Sequence, residues 1–196
     1  MGTQWSGKPL RQGPLSYSAH RKCQSSLCES WHFSIRSVNT REMSSSLQDR
    51  YAPKSRCFGC GPANEKGLRI KSHVLGEEVV ADFVPEPHHE AFPGMVNGGI
   101  VGALLDCHSN WTAAYTLMQT RAEANPPCTV TADFHVRLKR PTPLDGSPLR
   151  LRARASSVEG DKVVVSATLE AHGKVCATCE GTFVAVKEGH PAFHRW

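Results

Sequence analysis

No stretch of this chain approaches the roughly 20 consecutive apolar residues that a membrane-crossing helix needs, so no transmembrane span is expected. An apolar signal-peptide core is missing as well. The eight cysteines are therefore read as reduced thiols in a cell interior and not as a secreted disulfide framework. Acids are scarce at the start. Residues 1–56 set nine Lys or Arg against Glu29, Glu42 and Asp49, a net +6, whereas residues 57–196 carry a net −1. The formal +5 of the whole chain thus belongs to its first quarter, and the remainder lacks the basic excess of a nucleic-acid binder.

The chain divides into residues 1–55, a domain over residues 56–188 and a tail over residues 189–196. Residues 1–50 are rich in Ser, Arg, Gln and Gly, with no sustained hydrophobic period. This composition suits an organelle transit peptide, which would place the protein in a mitochondrion or plastid. The alternatives are a disordered extension, or an upstream stretch ahead of a true start at Met43, with a cytoplasmic protein. The opening Met1-Gly2-Thr3-Gln4-Trp5-Ser6 also fits a myristoylation pattern with Gly2 as acceptor, a short match that arises easily by chance.

From Cys57 onward the pattern is that of a folded domain of α+β class. Residues 68–74 alternate in polarity like a half-buried strand, Gly76 and Glu77 mark a turn, and residues 79–84 read as the hairpin partner. Pro85, Pro87 and Pro93 make residues 85–94 a loop. Residues 98–119 form the one long helix, apolar round most of its circumference and so expected to be buried. Strands follow at about 128–138, 148–158, 162–172 and 174–187, with hairpin turns at Glu159-Gly160-Asp161 and Ala171-His172-Gly173-Lys174. A hairpin, a buried helix and consecutive antiparallel strands imply a sheet curled round one central helix.

The helix start carries the chemistry. Gly98 and Gly99 leave backbone N–H groups uncovered by side chains, with the helix dipole behind them, an arrangement able to polarise a carbonyl oxygen. Two turns on, Asp106 stands among Ala103, Leu104, Leu105 and Cys107, where a carboxylate is costly unless it is used or satisfied locally, for instance by Ser109 or Asn110. A polarising end and an acid or base suggest acyl chemistry. At 1.5 Å per residue the two lie roughly 12 Å apart, too far for one chain to bring both to one carbonyl, which favours a site shared with an antiparallel neighbouring helix.

Other clusters read more plainly. His88 and His89 are adjacent in a loop, a spacing that seldom gives both rings to one ion. His108 lacks a His partner one turn on, so no metal site is expected from the histidines. Cys57-x-x-Cys60 and Cys176-x-x-Cys179 together suggest a four-thiolate zinc site, but strand residues three apart point to opposite faces. Packing in a turn is the simpler role for Cys57 and Cys60, with a redox or partial metal role as the alternative. Neither metal nor cofactor is required.

Two segments, Cys57-Phe58-Gly59-Cys60-Gly61-Pro62-Ala63-Asn64-Glu65-Lys66-Gly67-Leu68 and Phe92-Pro93-Gly94-Met95-Val96-Asn97-Gly98-Gly99-Ile100, resemble those of hotdog-fold acyl-CoA thioesterases, in the branch associated with phenylacetyl-CoA metabolism. Leu104-Leu105-Asp106-Cys107 and Leu138-Lys139-Arg140-Pro141-Thr142-Pro143-Leu144 fit the same pattern. The resemblance spans about residues 57–187. It implies a helix wrapped by an antiparallel sheet, a homodimer or dimer of dimers, and active sites across the dimer interface. It further implies hydrolysis of acyl-CoA, with Asp106 as general base or nucleophile and Thr131 where some members carry a water-orienting hydroxyl. Asn97 stands where most members have His, and can donate and accept hydrogen bonds without titrating. In such an enzyme Lys139 and Arg140, and with them Arg137, are candidates for the phosphates of coenzyme A; a solvated strand face is the other meaning of these cations and of Arg150, Arg152 and Arg154. A non-catalytic acyl-CoA-binding module and a hotdog acyl-thioester dehydratase are the alternatives.

Overall fold

The computed structural model describes residues 45–193. The extension or transit-peptide reading of residues 1–50 falls almost wholly outside the described residues, as do Gly2 and Met43. The described chain begins in packed structure, ahead of the boundary expected at residue 56. Helix α1, Leu47–Tyr51, is capped by the Ser46 hydroxyl, which accepts from the Asp49 N–H at 3.1 Å, and it buries Leu47, Gln48 and Ala52 in the core. Five residues are too few to show a helical period, so the sequence pattern does not reveal it.

Eight strands follow. β1 (His73–Leu75), β2 (Glu78–Phe83), β5 (Thr129–Leu138), β6 (Leu149–Glu159), β7 (Lys162–Ala171) and β8 (Lys174–Ala185) form a six-stranded antiparallel sheet in the order β1-β2-β6-β7-β8-β5. A two-stranded ribbon pairs β3 (Glu90–Phe92), inside the proline-rich segment 85–94 expected to be a loop, with β4 (Met95–Val96) just after it. The long helix is α2, Gly98–Thr120. Its buried residues cover both apolar and polar types, from Leu104 to Ser109, Asn110 and Thr112. That is what burial on most of a circumference requires. No helix among the described residues is long and apolar enough to cross a membrane.

Alternation of side chains along β2, β6 and β7 supplies the face that meets α2. Val79 and Ala81, Leu149 and Leu151, and Val163 and Val165 are all buried, while Arg150 and Arg152 point to the other face. Burying one such Val or Leu side chain contributes about 1.5–3 kcal/mol. The outward arginines are not a bare cationic stripe. Asp82 lies directly opposite Arg150 and accepts its Nη2–H at 2.7 Å, and Glu78 pairs with Arg152 at 3.0 Å. Both partners come from β2, far off in sequence.

Two hairpins close as their glycines demand. His172 and Gly173 both have positive φ (50° and 70°), the condition for a type I′ turn, and Gly160 (φ 60°) takes the first central position between β6 and β7. The far end of α2 is tied to that second turn by Arg121, whose Nη2 donates to Asp161 Oδ1 at 2.7 Å.

The first strand is shorter than its alternation predicts. Residues 68–72 keep alternate burial, with Leu68, Ile70 and Ser72 inside, but Arg69 adopts φ 53°. Their backbone bonds go elsewhere: Leu68 N–H to Phe58 O (2.7 Å), Ile70 N–H to Gly59 O (3.1 Å), and Ser72 O from Leu47 N–H (2.8 Å). The segment serves as a strap between α1 and the residue 57–60 turn.

Candidate active site

Asn97 is the N-cap of α2. Its Oδ1 accepts from the Gly99 N–H at 2.8 Å, and its own N–H donates to His89 O at 2.8 Å. Asn is among the best N-cap residues because a short side-chain oxygen reaches the second N–H of the helix. The expectation that either glycine could polarise a carbonyl therefore narrows: the Gly99 N–H is occupied by the cap. The Gly98 N–H, at the first helical position, has no partner among the described residues, and Asn97, Gly98 and Gly99 are all exposed. A side chain at Gly98 would come within 3.2 Å of Leu138 Cδ1, so β5 closes over the helix start from one side.

Beside Gly98 opens a cavity of about 360 Å³, walled by Phe92, Met95, Val96, Val101 and Leu138, with Lys139, Arg140 and Thr142 at its edge. Two sequence segments are stitched together here: Val96 N–H donates to Thr142 O at 2.9 Å and Leu144 N–H to Gly94 O at 2.8 Å. Lys139 and Arg140 are anchored through their main chain, both N–H groups donating to Cys176 O (2.8 and 3.1 Å). The Arg140 guanidinium bonds Val175 O at 2.6 Å. Arg137 is not in this group. It lies one residue from Leu138 on the opposite face of β5, in a second cavity of about 580 Å³ with His135, Arg152, Arg154, Glu170 and Glu180.

Asp106 is half-buried, less deeply set than its apolar neighbours suggest. Thr131, on β5, donates its hydroxyl to Asp106 Oδ1 at 2.7 Å. Asn110 makes a paired contact with Thr129, donating to its carbonyl at 3.4 Å and accepting from its hydroxyl at 2.9 Å. Cys179 also faces this region, and burial followed by the Asp106 charge pushes its thiol up to about 11.

The histidines resolve individually. His88 is exposed, but His89 is buried rather than solvated as a loop residue would be: its ring lies 5.5 Å from that of Phe83 and its Nδ1 accepts from the Glu86 N–H at 2.9 Å. His108 is fully buried. Its Nε2–H donates to Val79 O at 3.0 Å, so Nδ1 accepts from the Ser72 hydroxyl at 2.9 Å. Burial pulls its pKa down to about 4.

The two Cys-x-x-Cys pairs do not meet. Cys176 sits at a bulge of β8, where the register shifts between Glu170↔Val175 and Leu169↔Ala177, and this brings it to the same buried side as Cys179. Cys57 and Cys60 are joined by Cys107, the residue after Asp106. Nothing in local spacing signals that contact, which spans 50 positions. Leu138 over Gly98 is a second contact of this kind.

No protein-family model matches the chain, and no curated protein does. Among solved structures, a thioesterase superfamily protein from Shewanella loihica PV-4 shares 32% identity over 64% of this chain and 98% of its own, with a TM-score of 0.53. A phenylacetic acid degradation-related protein from Ralstonia eutropha JMP134 is 22% identical over 65% and 92% of the two chains, TM-score 0.53. Zebra fish thioesterase superfamily member 2 is 17% identical over 63% and 90%, TM-score 0.52. The last two speak for the fold, and the first, aligned over nearly its full length, for kinship. The chain belongs to the thioesterase superfamily and carries its hotdog fold.

Proposed function

We propose that this protein hydrolyses acyl-CoA thioesters at a site built by two copies of the chain. The observation that carries the reading is the exposed Gly98 N–H at the mouth of an apolar cavity edged by Lys139 and Arg140. An acyl chain or pantetheine arm fits such walls, and two cations suit the phosphates of coenzyme A. The thioester oxygen accepts from Gly98 as negative charge grows on it, with no reorganisation needed. Asp106, held by Thr131, then takes a proton from water as the water oxygen bonds to the carbonyl carbon. The C–S bond breaks, and the proton ends on the coenzyme A thiolate. Direct attack by the carboxylate, giving a mixed anhydride that water opens, uses the same geometry.

Since Gly98 and Asp106 sit eight residues apart on α2, roughly 12 Å at 1.5 Å per residue, the second copy supplies the missing half. The dehydratase alternative needs a histidine beside the acid. His108 has both ring nitrogens engaged by Ser72 and Val79, so it offers no support for that alternative. A panel of acyl-CoA substrates with thiol release as the readout tests the proposal. Coenzyme A binding without turnover of any of them would replace hydrolysis by the binding-module reading.

A further inference from the structure

The Sγ atoms of Cys57, Cys60 and Cys107 all lie within 4.8 Å of one another, with Cys57 and Cys107 at 3.7 Å. With Zn–S bonds of about 2.3 Å, tetrahedral coordination puts two sulfurs about 3.8 Å apart, the spacing Cys57 and Cys107 already have, with Cys60 close enough to complete the set. The surroundings are built to hold it. A Cβ on Gly59 would stand 2.4 Å from Cys107 Sγ, so only glycine lets the turn approach the α2 thiol. A Cβ on Gly61 would collide with the Cys57 N and Ser55 O at 2.5 Å, and the Gly61 N–H closes the turn on Cys57 O at 2.8 Å. The Trp111 indole N–H donates to Cys60 Sγ at 3.3 Å.

We propose that Cys57, Cys60 and Cys107 form a three-thiolate site for zinc, pinning the residue 57–60 turn to the middle of α2. Cys60 and Cys107 are buried while Cys57 is half-buried, which leaves that thiol as the entry side. Each thiol that joins the ion gives up its proton, so loading releases protons to solvent. The donor set is soft, which suits zinc over magnesium or calcium. The site is separate from the acyl chemistry, since none of the three sulfurs is asked to touch substrate.

The test is metal content of the full chain after incubation with zinc chloride and gel filtration. The expected result is one zinc per chain, lost in Cys107→Ser and in Cys57→Ser, and kept in Cys176→Ser. Cobalt in place of zinc gives thiolate-to-metal charge-transfer absorption that vanishes in the same two variants. Circular dichroism checks their folding. If either variant fails to fold, the wild type decides: zinc must protect Cys57, Cys60 and Cys107 from alkylation, mapped by mass spectrometry. Absence of zinc from the wild type, zinc retained by the folded Cys57→Ser and Cys107→Ser variants, or alkylation of the three thiols undiminished by zinc, each overturns the proposal. A Cys57–Cys107 disulfide formed in air, with no zinc bound by the reduced protein, overturns it in favour of a redox pair.

Discussion

Thr131 reaches from the edge strand β5 to α2 and donates its hydroxyl to Asp106 Oδ1 at 2.7 Å, so the acid that sequence singles out has a fixed orientation. Asp106→Asn keeps the shape of the side chain and removes its basicity. The expected loss in kcat is about 10²–10⁴-fold, the usual contribution of a general base. Thr131→Ala removes one hydrogen bond to a charged group, worth about 1.5–3 kcal/mol, and should cost about 10- to 100-fold, with Thr131→Ser recovering most of it. Steady-state kinetics with thiol release reads both. An Asp106→Asn enzyme with wild-type kcat would remove the acid from the mechanism.

Asn97 is a cap before it is anything else. Asn97→Ala forfeits the bond to the Gly99 N–H, and the expected destabilisation is about 1 kcal/mol, measured by urea unfolding. Asn97→Ser or Asn97→Asp should restore stability because both side chains cap well. If Asn97→Ala left stability unchanged but abolished activity, the side chain would belong to the chemistry instead.

How much of this was legible depends on the range of the interaction. The strands β6, β7 and β8 follow their period-2 alternation within two residues at each end, and α2 begins at the glycine expected. Local rules fail where a distant partner takes over. Residues 68–72 look like strand, yet their hydrogen bonds go to Phe58, Gly59 and Leu47, and Arg69 turns left-handed. The candidate site shows the same division. Gly98, Asp106 and Thr131 could be named from chain position and resemblance. That the cap occupies Gly99, that Lys139 and Arg140 share a cavity with Gly98, and that Arg137 does not, are consequences of packing and of which way β5 faces.

His108 sets an acid limit on stability. Its folded pKa is depressed to about 4 from an ordinary 6.5, with burial as the cause. The unfolded chain therefore takes up a proton at this ring before the folded one does. The contribution to stability is fully present above pH 6.5 and is lost as pH falls from there toward 4, to a total of about 3 kcal/mol. His89, also lowered by burial, pushes in the same direction. Urea unfolding between pH 4 and pH 8 should show this slope, and a folded His108→Gln variant should flatten it. An unchanged slope in that variant would assign the acid sensitivity to other groups.

Lys139 and Arg140 should matter for affinity and not for the chemical step. Each exposed charge contact contributes up to about 1 kcal/mol, so Lys139→Ala and Arg140→Ala should raise KM for acyl-CoA about fivefold or less, with kcat little changed. The effect should shrink in high salt and disappear with an acyl-pantetheine substrate that lacks phosphates. Arg137→Ala, on the outer face of the sheet, is the control. An equal rise in KM for Arg137→Ala would mean that the phosphates lie on that outer face.

The proposed two-chain site admits a sharper test through Gly98. Proline is tolerated at the first helical position because its missing N–H has no helical partner there. Asn97, at φ −60° and ψ 133°, already has the extended backbone that a residue before proline needs. Gly98→Pro therefore deletes one N–H while keeping the helix start, with the Leu138 side chain giving way to a new Cβ 3.2 Å from its Cδ1, and loss of such a donor costs about 10²–10³-fold in kcat. If Gly98 of one copy works with Asp106 of the other, a dimer of one Gly98→Pro chain and one Asp106→Asn chain holds one doubly damaged site and one intact site. Unfolding and refolding the two variants together in equal amounts should then restore roughly a quarter of wild-type activity, since half the dimers are mixed and each has half its sites. A site contained in one chain would give no recovery. Phe134 and Leu138, 45% and 60% exposed on the face of β5 that meets Gly98, are where the second copy should bury apolar surface. Phe134→Asp should yield a monomer by sedimentation, inactive despite intact Asp106 and Gly98. An active monomer would return the whole reaction to a single chain.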